Sequence, residues 1–551
     1  MDAWLTKTIP QVLDERAAVF GDREALVIDG RRLTYGQLQQ ESSRVARRLL
    51  AGGFSAGSRV AVIMEGGVEM MVLFHALLRI GAAIIPVNFN FRDSELDFLL
   101  RQSDSTHLIF VDSFLSHDYW ASLHSLTGGF PASAAGVLRS DRYPRLRGLL
   151  CRRRAGGELV RQADAVLDYD RFVHGDNPER AGELAACQAA LSAGDTCYQL
   201  LTSGSTGFPK LAQVTHRAIV GVAHYYCECL RITEDSRMMA HFTMYHIGGL
   251  GFGAAAPLYG GACFHTSAVF DPGAVLEEIE RERISVMGFF DTHVTRLMSH
   301  PRFPRTDLTS IQSALFGGTP STYDRLHGDW GIPLVTPNYA STEIGASITL
   351  VPAGIGDDNL RKHSNGRPLP GLSLRIVDPE TGRESPVGEP GEIRVKGWSV
   401  CSGYYNMPEQ NAEAFDADGY FRTGDIGHLD AQGYVYYTGR YKMMVKTGGE
   451  NVSEIEVENF LGELVPGARA VRVIGIPDPV WGEAVTAFIE LDPKTERMSL
   501  EDLRALCKKH VAAYKIPRHV IYLRTDEWPV TTAGKISKPD LKKRAIEILR
   551  G

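Results

Sequence analysis

Apolar runs of strand length alternate along this chain with segments whose apolar residues recur at helical spacing. "RVAVIM" (Arg59 to Met64) reads as a buried strand, "VEMMVLFHALLRIG" as the helix after it and "AAIIPVNF" as the next strand. That strand–helix–strand rhythm implies a parallel sheet covered by helices. It returns at "THLIFVD" and "YQLLTSG", then at "ISVMGFF", "SALFGG" and "PLVTPNYA", with no repeat of fixed period. The stretch from Leu126 to Gly157, rich in Ala, Gly, Arg and Ser, reads as an irregular, exposed insertion.

The pattern changes near Arg375. "SLRIVDPETGRE", "GEIRVKG" and "GYVYYTGR" are short β-rich pieces separated by glycine turns, which predicts a smaller subdomain of mostly antiparallel strands. From Tyr441 on, charged helices ("SEIEVENFLGEL", "LEDLRALCKKHV") alternate with strands ("ARAVRVIGIP", "AVTAFIEL", "HVIYLR"), a tail of domain size. A length of 551 residues agrees with two or more domains.

Composition narrows the function classes. The net charge of -7 argues against a nucleic-acid binder that needs a basic face. The N-terminus lacks an apolar run long enough for a signal peptide, and the most apolar stretch, Met70 to Val87, is interrupted by His75 and Arg79. A cytoplasmic protein without a membrane span is therefore expected. The eight cysteines form no CxxC, the nearest pair being Cys227 and Cys229, and read as free thiols in a reducing compartment.

Candidate chemistry centres on "LLTSGSTGFPKLA", Leu200 to Ala212. Glycines let backbone N–H groups approach an anion and hydroxyls add donors, so polyphosphate is the natural guest; a flexible surface turn is the plainer alternative. Spacing excludes two other motifs. A Walker loop needs a Gly-Lys pair where Lys210 follows proline, and a nucleophile elbow needs glycine where Ser203 precedes Ser205 by two.

The run from Thr202 to Lys210 resembles the phosphate-loop signature of the adenylate-forming superfamily, which includes acyl-CoA synthetases, peptide-synthetase adenylation domains and beetle luciferases. Other stretches resemble the rest of that family's motif series in order: "LTYGQL", "GAAIIPVN", "MYHIGGL", "FGGTP", "NYASTE", "GEIRVKG", "YFRTGD", "TGRYKMMVKTGGENV" and "PVTTAGK". The resemblance implies an α/β fold. A large N-terminal domain (1–440) would hold two stacked βα subdomains and a small β-barrel-like one, followed by a small mobile α+β C-terminal domain (441–551).

It also implies roles. Thr202, Ser203, Gly204, Ser205, Thr206 and Gly207 would cover the β- and γ-phosphates of ATP, assisted by Lys210. Gly317, Gly318, Thr319, Asn338, Tyr339, Ala340 and Ser341 would line the adenine and α-phosphate side, with Tyr339 stacked on the base. Asp425 would accept from both ribose hydroxyls, work that suits an ionised carboxylate, with Arg440 beside it. Glu343 would hold Mg2+, a hard cation that bridges phosphates, and Thr342 would touch the α-phosphate.

Lys535 would drive the first step. A carboxylate must attack the α-phosphorus of ATP, and a cation between the two anions offsets their repulsion in the transition state. The family pattern of proline, four residues, glycine and lysine is met from Pro529 to Lys535. In relatives this lysine is also acetylated reversibly, which removes its charge. For the second step the small domain would rotate about Lys442, and Gly448 and Gly449 would border the channel for CoA.

His246 is assigned an orienting role near the acid, with Ile247, Phe290, Asp291 and Ala340 around its tail. "HFTMYH" lacks the aspartate that amino-acid-activating relatives use for an α-amino group, so an uncharged tail is favoured. Two positions depart from the pattern: Ala340 stands where most relatives have glycine, and Asp291 where they commonly have proline. Asp291 either binds a polar substituent or, the preferred reading, caps a helix beginning at Thr292.

The expected activity is an ATP-dependent acid–CoA ligase acting through acyl-AMP on a fatty, alicyclic or aromatic monocarboxylic acid. The alternatives are an enzyme loading a carrier-protein pantetheine and a catalytically silent nucleotide- or acyl-binding protein. Expected partners are the acid, ATP and CoA, a second copy in a homodimer and a lysine acetyltransferase acting on Lys535.

Overall fold

The computed structural model describes residues 3–115, 117–154, 163–202, 210–440, 444–447, 450–508, 510–511, 513–531 and 535–550. Among them, two large sheets carry the N-terminal part. The strands Arg59–Ile63 and His107–Val111 pair in parallel and are buried almost throughout, as continuous apolar runs covered on both faces must be. They lie in a seven-stranded sheet whose edge is the antiparallel pair Thr196–Thr202 and Lys210–Thr215.

The second sheet has nine strands. Its parallel core includes Val286–Phe290, Ser313–Gly317 and Leu334–Ser341, side by side. Ligands of open α/β sheets bind beyond the carboxyl ends of such strands, and the candidate residues 290, 317–319 and 338–341 sit there.

The helix Val68–Arg79 covers the break in the apolar run. His75 and Arg79 are both buried, and Arg79 is neutralised by Asp14 at 2.7 Å and held by Ser42. It is a core helix. No described helix is long and apolar enough to cross a membrane. All eight cysteines are free.

The segment expected to be an exposed insertion is only partly so. Gly148–Arg152 forms a strand parallel to His107–Val111, with Leu149, Leu150 and Cys151 buried, while Phe130, Leu138, Tyr143 and Leu146 anchor the preceding loop. A strand of five residues framed by arginine and glycine leaves too short an apolar signal to stand out.

An antiparallel four-stranded sheet follows, ordered Leu372–Val377, Gly391–Gly397, Phe421–Leu429, Val435–Arg440. From Val445 on, the chain builds its own sheet around the long hairpin Ala468–Asp478 and Gly482–Leu491, with His519–Tyr522 parallel to the latter. The helix Glu454–Leu464, capped by the Ser453 side chain, packs on that sheet over a separate apolar core.

Candidate active site

Two neighbouring strands of the four-stranded sheet build the end of the site where the ribose is expected. Asp425 on Phe421–Leu429 pairs in register with Arg440 on Val435–Arg440. Its carboxylate is buried, with Oδ1 accepting from Arg440 Nε at 2.7 Å and Oδ2 from the Tyr339 hydroxyl at 2.6 Å. Burial works against the Arg440 charge, but Asp425 outweighs it and raises the arginine's pKa. Tyr339 is buried, with its ring nearly parallel to Tyr437 at 5.7 Å. Asn338 donates to the Ser347 hydroxyl at 2.5 Å and accepts at its carbonyl from Asn365.

Gly317 and Gly318 are exposed at the end of their strand. A Cβ on Gly318 would stand 1.9 Å from Asp291 Oδ1, so only glycine leaves that carboxylate room. Thr319 N–H donates to the same oxygen at 3.3 Å, and its hydroxyl meets Ser321 at 2.9 Å.

At the end where the phosphates are expected, Thr202 and Lys210 face each other on paired antiparallel strands. The Thr202 hydroxyl is buried with no hydrogen-bond partner among the described residues. Lys210 Nζ lies 4.8 Å over the Tyr404 ring, and the Tyr404 hydroxyl donates to Glu343 Oε1 at 3.2 Å. Burial, then the Glu343 charge, raise the Tyr404 pKa, so it stays a donor. Glu343 and Thr342 occupy the turn after Ser341, fixed by Gly345 N–H on the Thr342 carbonyl and Cys401 N–H on the Glu343 carbonyl.

No group of three or more metal-ligating side chains occurs among the described residues. A single carboxylate suits Mg2+, which keeps waters and takes its remaining oxygens from phosphates, and the chemistry of Glu343 fits that ion.

The catalytic lysine expected from the last motif is brought into this cleft. Lys535 Nζ lies 4.8 Å over the Phe290 ring, and its backbone is held by Thr531. Taken as a whole residue Lys535 is exposed, yet its ammonium end is crowded, and burial followed by the Arg440 charge lowers its pKa. His246 is pushed down to about 4 by burial and then by Lys535, so it is a neutral ring at pH 7. Ile247 is buried beside it, and Ala340 is exposed.

Asp291 does not cap a helix beginning at Thr292. The helix runs Asp291–Met298 with Phe290 at the cap position. Its Oδ1 instead takes the Thr319 N–H and the Thr322 hydroxyl, and its Oδ2 takes Arg472. Ser203, Gly204, Ser205, Thr206, Gly207, Lys442, Gly448 and Gly449 lie outside the described residues. Tyr404, Tyr437 and Arg472 join the site without having been singled out by motif; "GYY" and "VRV" carry no local mark of it.

Buried Asp425 and Tyr339 with Arg440 on the carboxylate, Glu343 linked through Tyr404 to Lys210, and a lysine brought in by a second unit form the arrangement expected of an adenylate-forming enzyme. Residues 13–405 match the AMP-binding enzyme family and residues 456–535 its C-terminal domain, and the chain belongs to that family. It is 33% identical over 98% of its length to YngI of Bacillus subtilis (strain 168), which carries a provisional acyl-CoA synthetase name and is covered over 97%.

It is 30% identical over 97% of its length to the 3-[(3aS,4S,7aS)-7a-methyl-1,5-dioxo-octahydro-1H-inden-4-yl]propanoyl:CoA ligase of Rhodococcus jostii (strain RHA1), covered over 98%. The anthranilate CoA ligase AuaEII in complex with anthranoyl-AMP shares the fold, with a TM-score of 0.83 over 99% of both chains at 23% identity. The chain is thus an enzyme of the acid–thiol ligase group.

Proposed function

We propose that this enzyme joins a monocarboxylic acid to CoA in two steps. In the first, the acid's carboxylate oxygen attacks the α-phosphorus of ATP, the bond to the bridging oxygen breaks, and acyl-AMP and pyrophosphate result. In the second, the CoA sulfur attacks the acyl carbon, the bond to AMP breaks, and the thiol proton passes to solvent; a thiol of pKa about 8.5 needs no dedicated base against so activated a mixed anhydride.

The observation that carries this reading is the position of the Lys535 ammonium over Phe290, beside His246 and within reach of the Arg440 field. A cation there faces the junction of acid and α-phosphate. Asp425, Tyr339 and Arg440 hold the ribose. Thr202, whose hydroxyl has no partner among the described residues, and Lys210 serve the phosphates, and Glu343 would hold Mg2+, which supplies charge neutralisation there when bound. The neutral His246, Ile247, Phe290 and Ala340 favour an apolar acid. The alicyclic propanoyl group in the Rhodococcus relative's name supports including ring-bearing acids.

Residues 1–440 form the adenylating domain and 441–551 the mobile one on this reading, with Lys442 as the hinge and Gly448 and Gly449 beside the CoA arm. The reducing, ATP-rich cytoplasm is the assigned compartment, in keeping with eight free thiols. Acetylation of Lys535 by a lysine acetyltransferase would switch off the first step, and a homodimer is the assigned assembly.

The test is pyrophosphate release with ATP, Mg2+ and free CoA across short, medium and long fatty acids, benzoates, cinnamates and alicyclic acids. A matching acyl-CoA product supports the reading. Pyrophosphate release with no acyl-CoA from any acid would defeat it in favour of a carrier-protein acceptor.

A further inference from the structure

Two neighbouring residues at the start of one helix grip the C-terminal unit at separate points. The Phe290 ring lies under the Lys535 ammonium. The Asp291 carboxylate, mostly buried, pairs with Arg472 Nη2 at 2.5 Å, and Arg472 stands on the strand Ala468–Asp478 of the C-terminal unit. Burial opposes the Arg472 charge, but Asp291 and Glu458 more than restore it. The same carboxylate binds the Thr319 N–H and the Thr322 hydroxyl, in the loop that follows Gly317 and Gly318. One acid therefore ties together the acyl-site helix, the adenine-side loop and the unit that carries Lys535.

We propose that Asp291 and Arg472 form a latch holding Lys535 in the orientation that makes acyl-AMP, and that the pair parts for the thioester step; this rests on the two-step reading above. Parting a buried ion pair is costly when it strands a charge. Neither partner is stranded here. Arg472 keeps Glu458 of its own unit, 3.9 Å away, and Asp291 keeps Thr319 and Thr322. A pair with a second partner on each side separates reversibly, as a positioning contact in a moving unit requires. Two further contacts join the units, the Ser453 hydroxyl on the Thr438 carbonyl and Arg325 Nη2 on the Ala468 carbonyl at 3.4 Å, and neither bears on Lys535 directly.

The experiment measures the rate at which trinitrobenzenesulfonate labels each lysine of the full chain, read by peptide mass spectrometry without acid or nucleotide. Exposed Lys494 serves as the reference, and Lys538, enclosed by Glu454 and Glu458, reports unfolding. Asp291→Asn and Arg472→Gln should each speed labelling of Lys535 relative to Lys494 by about fivefold or more while Lys538 stays slow. Unchanged labelling of Lys535 in both single variants, or acceleration of Lys538 together with Lys535, would overturn the latch. Because no acid is needed, the latch can fail while the ligase reading stands, and the pyrophosphate screen can fail while the latch stands.

Discussion

Tyr339 shows how one side chain serves two groups of the site. Its hydroxyl donates to Asp425 Oδ2, so the carboxylate enters its work with a fixed orientation. Tyr339→Phe keeps the ring and removes that bond; a hydrogen bond to a charged group is worth about 1.5 kcal/mol, roughly a tenfold loss in ATP affinity. Calorimetric titration with ATP checks this, and a Kd within about twofold of the wild type would refute it. Lys535→Ala should abolish acid-dependent pyrophosphate exchange yet leave conversion of supplied acyl-AMP and CoA largely intact, and equal loss of both steps would contradict the two-step scheme. Lys535, Asp425 and Glu343 were legible as motif residues. Tyr404 and Arg472 were not, since their meaning lies in partners 61 and 181 positions away.

At the scale of elements, the turn after Leu334–Ser341 places Thr342 and Glu343, and its geometry rests on Gly345. That residue has φ +76°, and a Cβ there would lie 2.2 Å from the Ser399 carbonyl oxygen, a backbone atom that cannot swing aside. Gly345→Ala should destabilise by at least about 2 kcal/mol, from the left-handed backbone and the clash together. A thermal midpoint within 1 °C or so of the wild type would count against this.

Most strands and helices followed from apolar spacing, because strands such as Arg59–Ile63 are buried over every residue after the first, and all of those are apolar. The two misreadings have physical causes. Gly148–Arg152 is a real strand hidden by its arginines and glycine. Asp291 looked like a cap because aspartate before a helix so often is one, and a distant arginine claimed its carboxylate instead.

At the scale of the whole molecule, burial lowers the pKa of nine histidines among the described residues, six of them far: His75 and His293 are pushed down to about 3, and His107, His216, His241 and His246 to about 4. The unfolded chain restores them to near 6.5, so between pH 6.5 and 4 it binds protons the native state refuses. The sign is therefore fixed: this contribution is complete above pH 6.5 and is lost as pH falls through 4. For a ring as fully enclosed as His216, the shift is worth about 3 kcal/mol at most.

The six strongly shifted rings lie in the N-terminal part, while the C-terminal unit, with its own sheet and core, holds only His519 among the lowered rings, shifted by burial to a smaller extent. Thermal midpoints measured from pH 7 to 4.5, above the range where carboxylates dominate, should fall steadily. Hydrogen exchange over the same range should show the N-terminal sheets losing protection before the hairpin Ala468–Asp478 and Gly482–Leu491 does. A flat midpoint in that window, or earlier loss in the C-terminal hairpin, would mean that burial of these rings does not set the acid limit of the fold.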